Sequence, residues 1–193
     1  MFYAASTLVY AGFVKENHMQ YAGAVEIISE EIHMAKNDDK TNVMRVLDQK
    51  KVTYKPFHKE LDATLTGVQI AQMNGQNPDQ VFKTLVTVGK TKNHYVFVIP
   101  VGCELDLKKA AAAVGEKNIE MIPQKELLPL TGYVHGGCSP IGMKKFFTTT
   151  IDQSAEGFDT IIFSAGKVGY QVEVNPADIN KVIRFQYADV TVK

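Results

Sequence analysis

The run VFKTLVTVGKTKNHYVFVIPV, Val81 to Val101, decides how this chain folds. On either side of GKTKN, β-branched and aromatic residues dominate and alternate, the pattern of a strand sandwiched between two environments. The connection is too short for a parallel crossover, so the two strands fold back on each other as a hairpin.

Upstream of the hairpin, TNVMRVLDQKK places Val43, Val46 and Leu47 at helical spacing, and VTYKPF reads as a short strand near a sheet edge, because Pro56 cannot donate to a ladder. Thr66 is a fitting N-cap for GVQIAQMNG, and Gly75 a fitting stop. Downstream, LDLKKAAAAVGE is a helix capped by Asp106, carried by alanines and ended by Gly115. IPQKELLPL predicts a shorter helix bounded by Pro123 and Pro129. Strands KKFFTTTID, DTIIFSAG and GYQVEVN follow, and Asn175 caps a helix that starts at Pro176. Strands outnumber helices and several connections are short. The expectation is α/β (α+β): a single mixed, largely antiparallel curved sheet with flanking helices.

The chain has 193 residues, 45% of them apolar, enough for one domain with its own core. Twenty-one basic residues balance twenty-one acidic ones, so bulk charge draws it neither to nucleic acid nor to a membrane, and any nucleic-acid partner requires a local patch. Two cysteines, Cys103 and Cys138, are too few for a disulfide framework, and a reducing cytoplasm is the expected setting. The apolar run MFYAASTLVYAGFV is shorter than the roughly 20 residues that span a bilayer, and its first basic residue, Lys15, follows rather than precedes it. Residues 1–33 read as an upstream extension; the alternative is that Ala22 to Ile32 forms an amphipathic helix packed on the domain. The expected organisation is an extension or accessory helix over 1–40 and the domain over 41–193.

Chemistry concentrates in TGYVHGGCSPIGMKK, Thr131 to Lys145. Cys138 is a candidate nucleophile, but a thiol needs a base or a cationic neighbour to supply thiolate, and a small apolar filler beside a glycine turn is the competing reading. Ser139 precedes Pro140, which favours a turn, and Gly137 and Gly142 lack the spacing of a hydrolase nucleophile elbow. Gly136 and Gly137 have no Cβ, so their backbone can approach a ligand closely. Lys83 is a single cation in an otherwise apolar strand; it either faces solvent at an edge or, facing inward, offers a desolvated charge to a carbonyl, carboxylate or phosphate. Ser164 and Gly166 end another strand on a glycine turn. Five scattered histidines give no metal-ligand spacing, and neither metal nor cofactor is expected.

In this order and spacing, VFKTLV, TGYVHGGCSPIGMKK and FSAGKVGYQVEV resemble the bacterial YbaK family of Cys-tRNA(Pro) deacylases, related to the editing domain inserted in prolyl-tRNA synthetase. The likeness runs from about Thr41 to the C-terminus. It implies a pseudo-barrel fold and a trans-editing enzyme that removes cysteine from tRNA(Pro) and, less selectively, from Cys-tRNA(Cys). It puts the family's lysine on Lys83 with Thr84 beside it, the pocket glycine on Gly136 next to Gly137, the pocket serine on Ser164, and an aromatic of the first strand on Phe57. A family phenylalanine is replaced here by Thr66. The implied chemistry uses the substrate's own thiol against its ester carbonyl. Rival readings are Ala-tRNA(Pro) editing by water attack and a non-catalytic module that binds the synthetase or the tRNA end. Prolyl-tRNA synthetase is the implied partner, and Lys144, Lys145 and Lys167 either contact acceptor-stem phosphates or are solvated without a role.

Overall fold

The computed structural model describes residues 40–59 and 65–192. The N-terminal extension and its alternative helix lie outside the described residues. Thr41 caps helix α1 (Asn42–Gln49), its hydroxyl accepting the Met44 N–H, and the helix buries Val43, Met44 and Leu47. Strand β1 (Tyr54–His58) carries Pro56, and helix α2 (Gly67–Met73) begins with a full capping box in which Thr66 and Gln69 satisfy each other's backbone. Strands β2 (Phe82–Gly89) and β3 (His94–Pro100) form the expected hairpin, Lys83 opposite Ile99 and Val88 opposite His94. Asp106 accepts from Lys108 N and Lys109 N to start α3 (Leu107–Ala113).

Strand β4 (Ile119–Met121) comes next, followed by α4 (Gln124–Thr131) and β5 (Thr148–Asp152). Strands β6 (Ile161–Ser164) and β7 (Tyr170–Val174) make a second hairpin, and α5 (Pro176–Ile179) precedes β8 (Phe185–Ala188).

The mixed α/β class is borne out, but the strands form two sheets rather than one. One has the order β1-β7-β6 and is antiparallel throughout; the other has the order β4-β2-β3-β5-β8. In the second, β3 pairs with β5 and β5 with β8 in parallel. Those pairings join segments whose connections carry whole elements, long enough to cross over. Pro56 does sit on an edge strand, as its missing N–H requires. Helix α4 runs through Pro129 instead of ending at it, and stops at Gly132 (φ 88°), whose N–H reaches Leu128 O. One missing donor near a helix end is tolerated where the final turn closes in this way.

Alternation on β2 and β3 divides the core. Phe82, Val86, Val96 and Val98 point to a large cluster with α1, β6 and β7. Tyr95, Phe97 and Ile99 point the other way, against α3. A small third cluster, Ala71, Val81 and Ile162 with Phe57 and Val101 against it, places α2 over the antiparallel sheet.

Candidate functional site

The two sheets touch where Val81 bridges Ile162 in parallel. Carried two residues along both strands, that register brings Lys83 and Ser164 to the same level on the same face. In the antiparallel sheet Ser164 faces Gln171, and Gln171 faces Phe57. Lys83, Ser164, Gln171 and Phe57 therefore form a row across β2, β6, β7 and β1, on the face shared with the α2 cluster. Three of the four are sequence candidates.

Lys83 is half-buried and donates from Nζ to Val101 O at 3.2 Å. Gly67, the first residue of α2, lies so close to Val101 that a Cβ there would fall 3.0 Å from the valine side chain. The lysine is thus held at the junction of the β3 end and the α2 start. Lys55 Nζ stands 4.9 Å from the Phe57 ring centroid and 3.9 Å from Glu173.

Thr84 is not in this row. Strand alternation turns its side chain to the opposite face with Phe82 and Val86, where its hydroxyl is buried without a partner. Thr66 is the α2 cap, its hydroxyl engaged with Gln69.

The two glycine loops meet each other. Gly136 has φ +78° and is exposed, while Gly137 is buried. A Cβ on Gly137 would stand 3.1 Å from Val168 N and 3.3 Å from Lys167 C, so the loop backbone lies directly on the β6–β7 turn. Ser164 opens that turn by accepting the Gly166 N–H at 3.2 Å, leaving its hydroxyl proton to give elsewhere. Gly166 (φ +89°) must lack a Cβ, because one would fall 2.8 Å from the Tyr133 ring. Tyr133 in turn donates its hydroxyl to Ile141 O at 2.6 Å. One tyrosine therefore fixes both loops, and Gly136 and Gly137 pack on Lys167 and Val168 of the β6–β7 turn that Ser164 opens.

Neither side-chain nucleophile survives the geometry. Cys138 is buried, and burial pushes its thiol up to about 12. Thiolate is accordingly scarce at neutral pH, the opposite of an activated cysteine. Ser139 is fully buried, with Oγ accepting Ile141 N at 3.4 Å as a turn former.

Sequence reasoning missed Gln171 and Gln76. Gln171 Oε1 accepts from Asn74 Nδ2 at 3.3 Å and Gln76 Nε2 at 3.0 Å, tying the end of α2 to the row. Gln76 Oε1 is buried without a partner. Its only signal in sequence is weak: Gln171 alternates with buried Tyr170 and Val172, which marks the outward face but not a role. The row and the loops offer the Lys83 cation, the Ser164 hydroxyl and the exposed Gly136 backbone. That set can hold and polarise an ester and contains no activated attacking atom.

The family model for the aminoacyl-tRNA editing domain matches residues 62–182. The chain is 45% identical over 159 residues to EbsC of Enterococcus faecalis, a proposed Cys-tRNA(Pro)/Cys-tRNA(Cys) deacylase, covering 82% of this chain and 97% of that protein. It is 24% identical over 155 residues to the prolyl-tRNA editing protein ProX of Acetoanaerobium sticklandii, covering 79% and 88%. Among solved structures, a proposed trans-editing enzyme for prolyl-tRNA synthetase superimposes with a TM-score of 0.67 at 26% identity, covering 78% of this chain and 95% of that one. The chain belongs to the aminoacyl-tRNA editing domain family.

Proposed function

We propose that the protein is a trans-editing deacylase that clears cysteine from mischarged tRNA(Pro), and also acts on Cys-tRNA(Cys), with the substrate supplying the nucleophile. The observation that carries this reading is the pairing of a cationic row at Lys83 and Ser164 with a neighbouring thiol and hydroxyl, Cys138 and Ser139, that are both buried and unactivated. In the step, the cysteinyl sulfur bonds to its own ester carbonyl carbon, the carbon–oxygen bond to the terminal ribose breaks, and the thiol proton ends on the departing ribose hydroxyl. A cyclic thiolactone leaves. Lys83 stabilises charge on the ester or anchors the terminal nucleotide, Ser164 donates to the carbonyl region, and the Gly136–Gly137 backbone makes room. Phe57 forms the far wall. Thr84 acts through its place in β2 rather than by direct contact.

Discrimination against serine and alanine then follows from chemistry, where a pocket alone gains only about 1–3 kcal/mol per small group. Selection of tRNA(Pro) is assigned to association with prolyl-tRNA synthetase in the cytoplasm. No helix among the described residues is long and apolar enough to cross a membrane. The decisive assay compares Cys-tRNA(Pro) with Ser-tRNA(Pro). Rapid loss of cysteine with serine near the buffer rate is expected. Equal rates on both would replace thiol assistance by water attack, and no turnover on either would leave a binding module.

A further inference from the structure

A groove of ≈ 1020 Å³ opens away from the Lys83 row, between the C-terminal end of α1, the loop leading into β5, and the segment from α5 into β8. Its lining carries Lys50, Lys145, Lys181 and Arg184 and no Asp or Glu. In a chain whose charges cancel, this is a local segregation of positive charge. Lys181 is partly neutralised by Asp178 at 2.7 Å. Lys50, Lys145 and Arg184 are exposed and make no ion pair among the described residues.

Beside these cations stands Phe146, 100% exposed, while Phe147 and Phe185 are half-buried in the same groove. Phe147 meets His94 edge-on and Phe185 meets Tyr187, whereas Phe146 has no ring partner among the described residues. A phenyl ring left wholly in water forgoes the ~1.5–3 kcal/mol that burial would give it. Cations along a concave wall with an unpartnered aromatic at the edge suit one chemistry: phosphates on the cations and a flat base on the ring. An acidic peptide would use the charges and leave the ring idle, and a lipid surface calls for a flat or convex face.

We infer that this groove docks the phosphate backbone of an RNA strand, with Phe146 stacking on an unpaired base. The inference rests on the deacylase reading, because the RNA is the body of the aminoacyl-tRNA whose ester end occupies the Lys83 row. Strand order supports the distance. β5 lies two strands from β2, about 10 Å at the usual strand spacing. Thr149 pairs with Val96, whereas Lys83 pairs with Ile99, about 10 Å further along β3. The two sites are thus on the order of 15 Å apart in the sheet plane and on its opposite faces, so the RNA passes around the sheet rather than straight across it to join them. Of the three lysines singled out in the sequence, only Lys145 lines the groove. Lys144 folds back toward Leu128 O, and Lys167 lies over the Tyr170 ring at 4.5 Å.

The test titrates deacylated tRNA(Pro) against the full chain over a series of salt concentrations, for the wild type, Lys145→Glu/Arg184→Glu, Phe146→Ala, and a control of equal net charge, Lys108→Glu/Lys117→Glu. The groove pair is expected to weaken binding at least tenfold and to lower the slope of log affinity against log salt by about 1.5, roughly 0.7–0.9 per lost phosphate contact. Phe146→Ala should weaken binding several-fold with the slope intact, and the control should stay within twofold of wild type. Thermal melts establish that each variant is folded; if the groove pair unfolds, Lys145→Gln/Arg184→Gln replaces it. Binding and slope unchanged in the groove pair, or a control that weakens equally, would overturn the inference. Turnover of 2′(3′)-O-cysteinyl adenosine, too small to reach the groove, separates the two readings. All groove variants should deacylate it at the wild-type rate, and a wild type inert toward it would sink the deacylase reading while leaving the tRNA titration to judge the groove.

Discussion

Gly169 offers a test in which sterics and backbone strain can be measured apart. It has φ +83°, and a Cβ built on it would lie 2.4 Å from Lys59 O, at the point where Lys59 N donates to Gly169 O at 3.0 Å. Gly169→Ala must push the chain after β1 back by several tenths of an ångström or more, against backbone rather than a pliable side chain. Left-handed strain costs about 1–2 kcal/mol, and the forced displacement with its weakened hydrogen bond about 1–3 kcal/mol more, for a total near 3 kcal/mol. Gly75→Ala and Gly115→Ala are internal controls, since both glycines have positive φ and nothing within 4 Å of the added methyl. Urea unfolding of the three variants should give about 1–2 kcal/mol for the controls and a clear excess for Gly169→Ala, with faster amide exchange over residues 54–59. If Gly169→Ala costs no more than the controls, the close approach of the chain after β1 to Gly169 is not a constraint on how β1 sits against β7.

Three further outcomes are expected. Lys83→Met keeps the apolar stem and removes the charge, so deacylation should fall by about 10²–10³-fold with stability changed by less than about 2 kcal/mol, read from single-turnover assays and melts; a rate within threefold of wild type would remove Lys83 from the chemistry. Cys138 has its thiol raised to about 12 from the ordinary 9.0, so its contribution to stability is whole below pH 9 and is lost as pH climbs toward 12, about 4 kcal/mol at 1.36 kcal/mol per unit. Cys138→Ala should therefore flatten the alkaline fall in stability while leaving deacylation intact, and at pH 8 an alkylating reagent should modify half-buried Cys103 well before Cys138. Thr66→Ala removes the hydroxyl that accepts the Gln69 N–H, leaves the backbone N–H of residue 66 on Gln69 Oε1, and should lower stability by about 1 kcal/mol in thermal or urea denaturation.

What the sequence disclosed and what it hid divide along contact range. The Val81–Val101 hairpin, the Thr66 and Asp106 caps, the glycine stops and the edge position of Pro56 are all local matters, written in a few adjacent residues. The parallel β3–β5 and β5–β8 pairs depend on which distant segments meet, and nothing within either strand specifies that. The same holds for the site. Lys83 stood out as a charge among apolar neighbours, yet its face was undecided until the Val81–Ile162 bridge set the register with Ser164. Thr84 went with Lys83 by adjacency alone, and strand alternation separates them. Gln171 looked like any outward polar residue, and the basic groove collects Lys50, Lys145 and Arg184 from three remote segments.

The register of β1 also bears on the order in which the molecule can assemble. Among the described residues its one strand partner is β7, so Tyr54 waits for Val174, and Asn74 waits for Gln171, 97 residues later. The β2–β3 hairpin carrying Lys83 can close as soon as Val101 has emerged, whereas the wall bearing Phe57 has nothing to pair with until the last fifth of the chain is made. Contacts of such long range are the slow ones, because loop closure comes before any gain from pairing. A nascent chain on the ribosome thus holds the cation of its site long before the site exists.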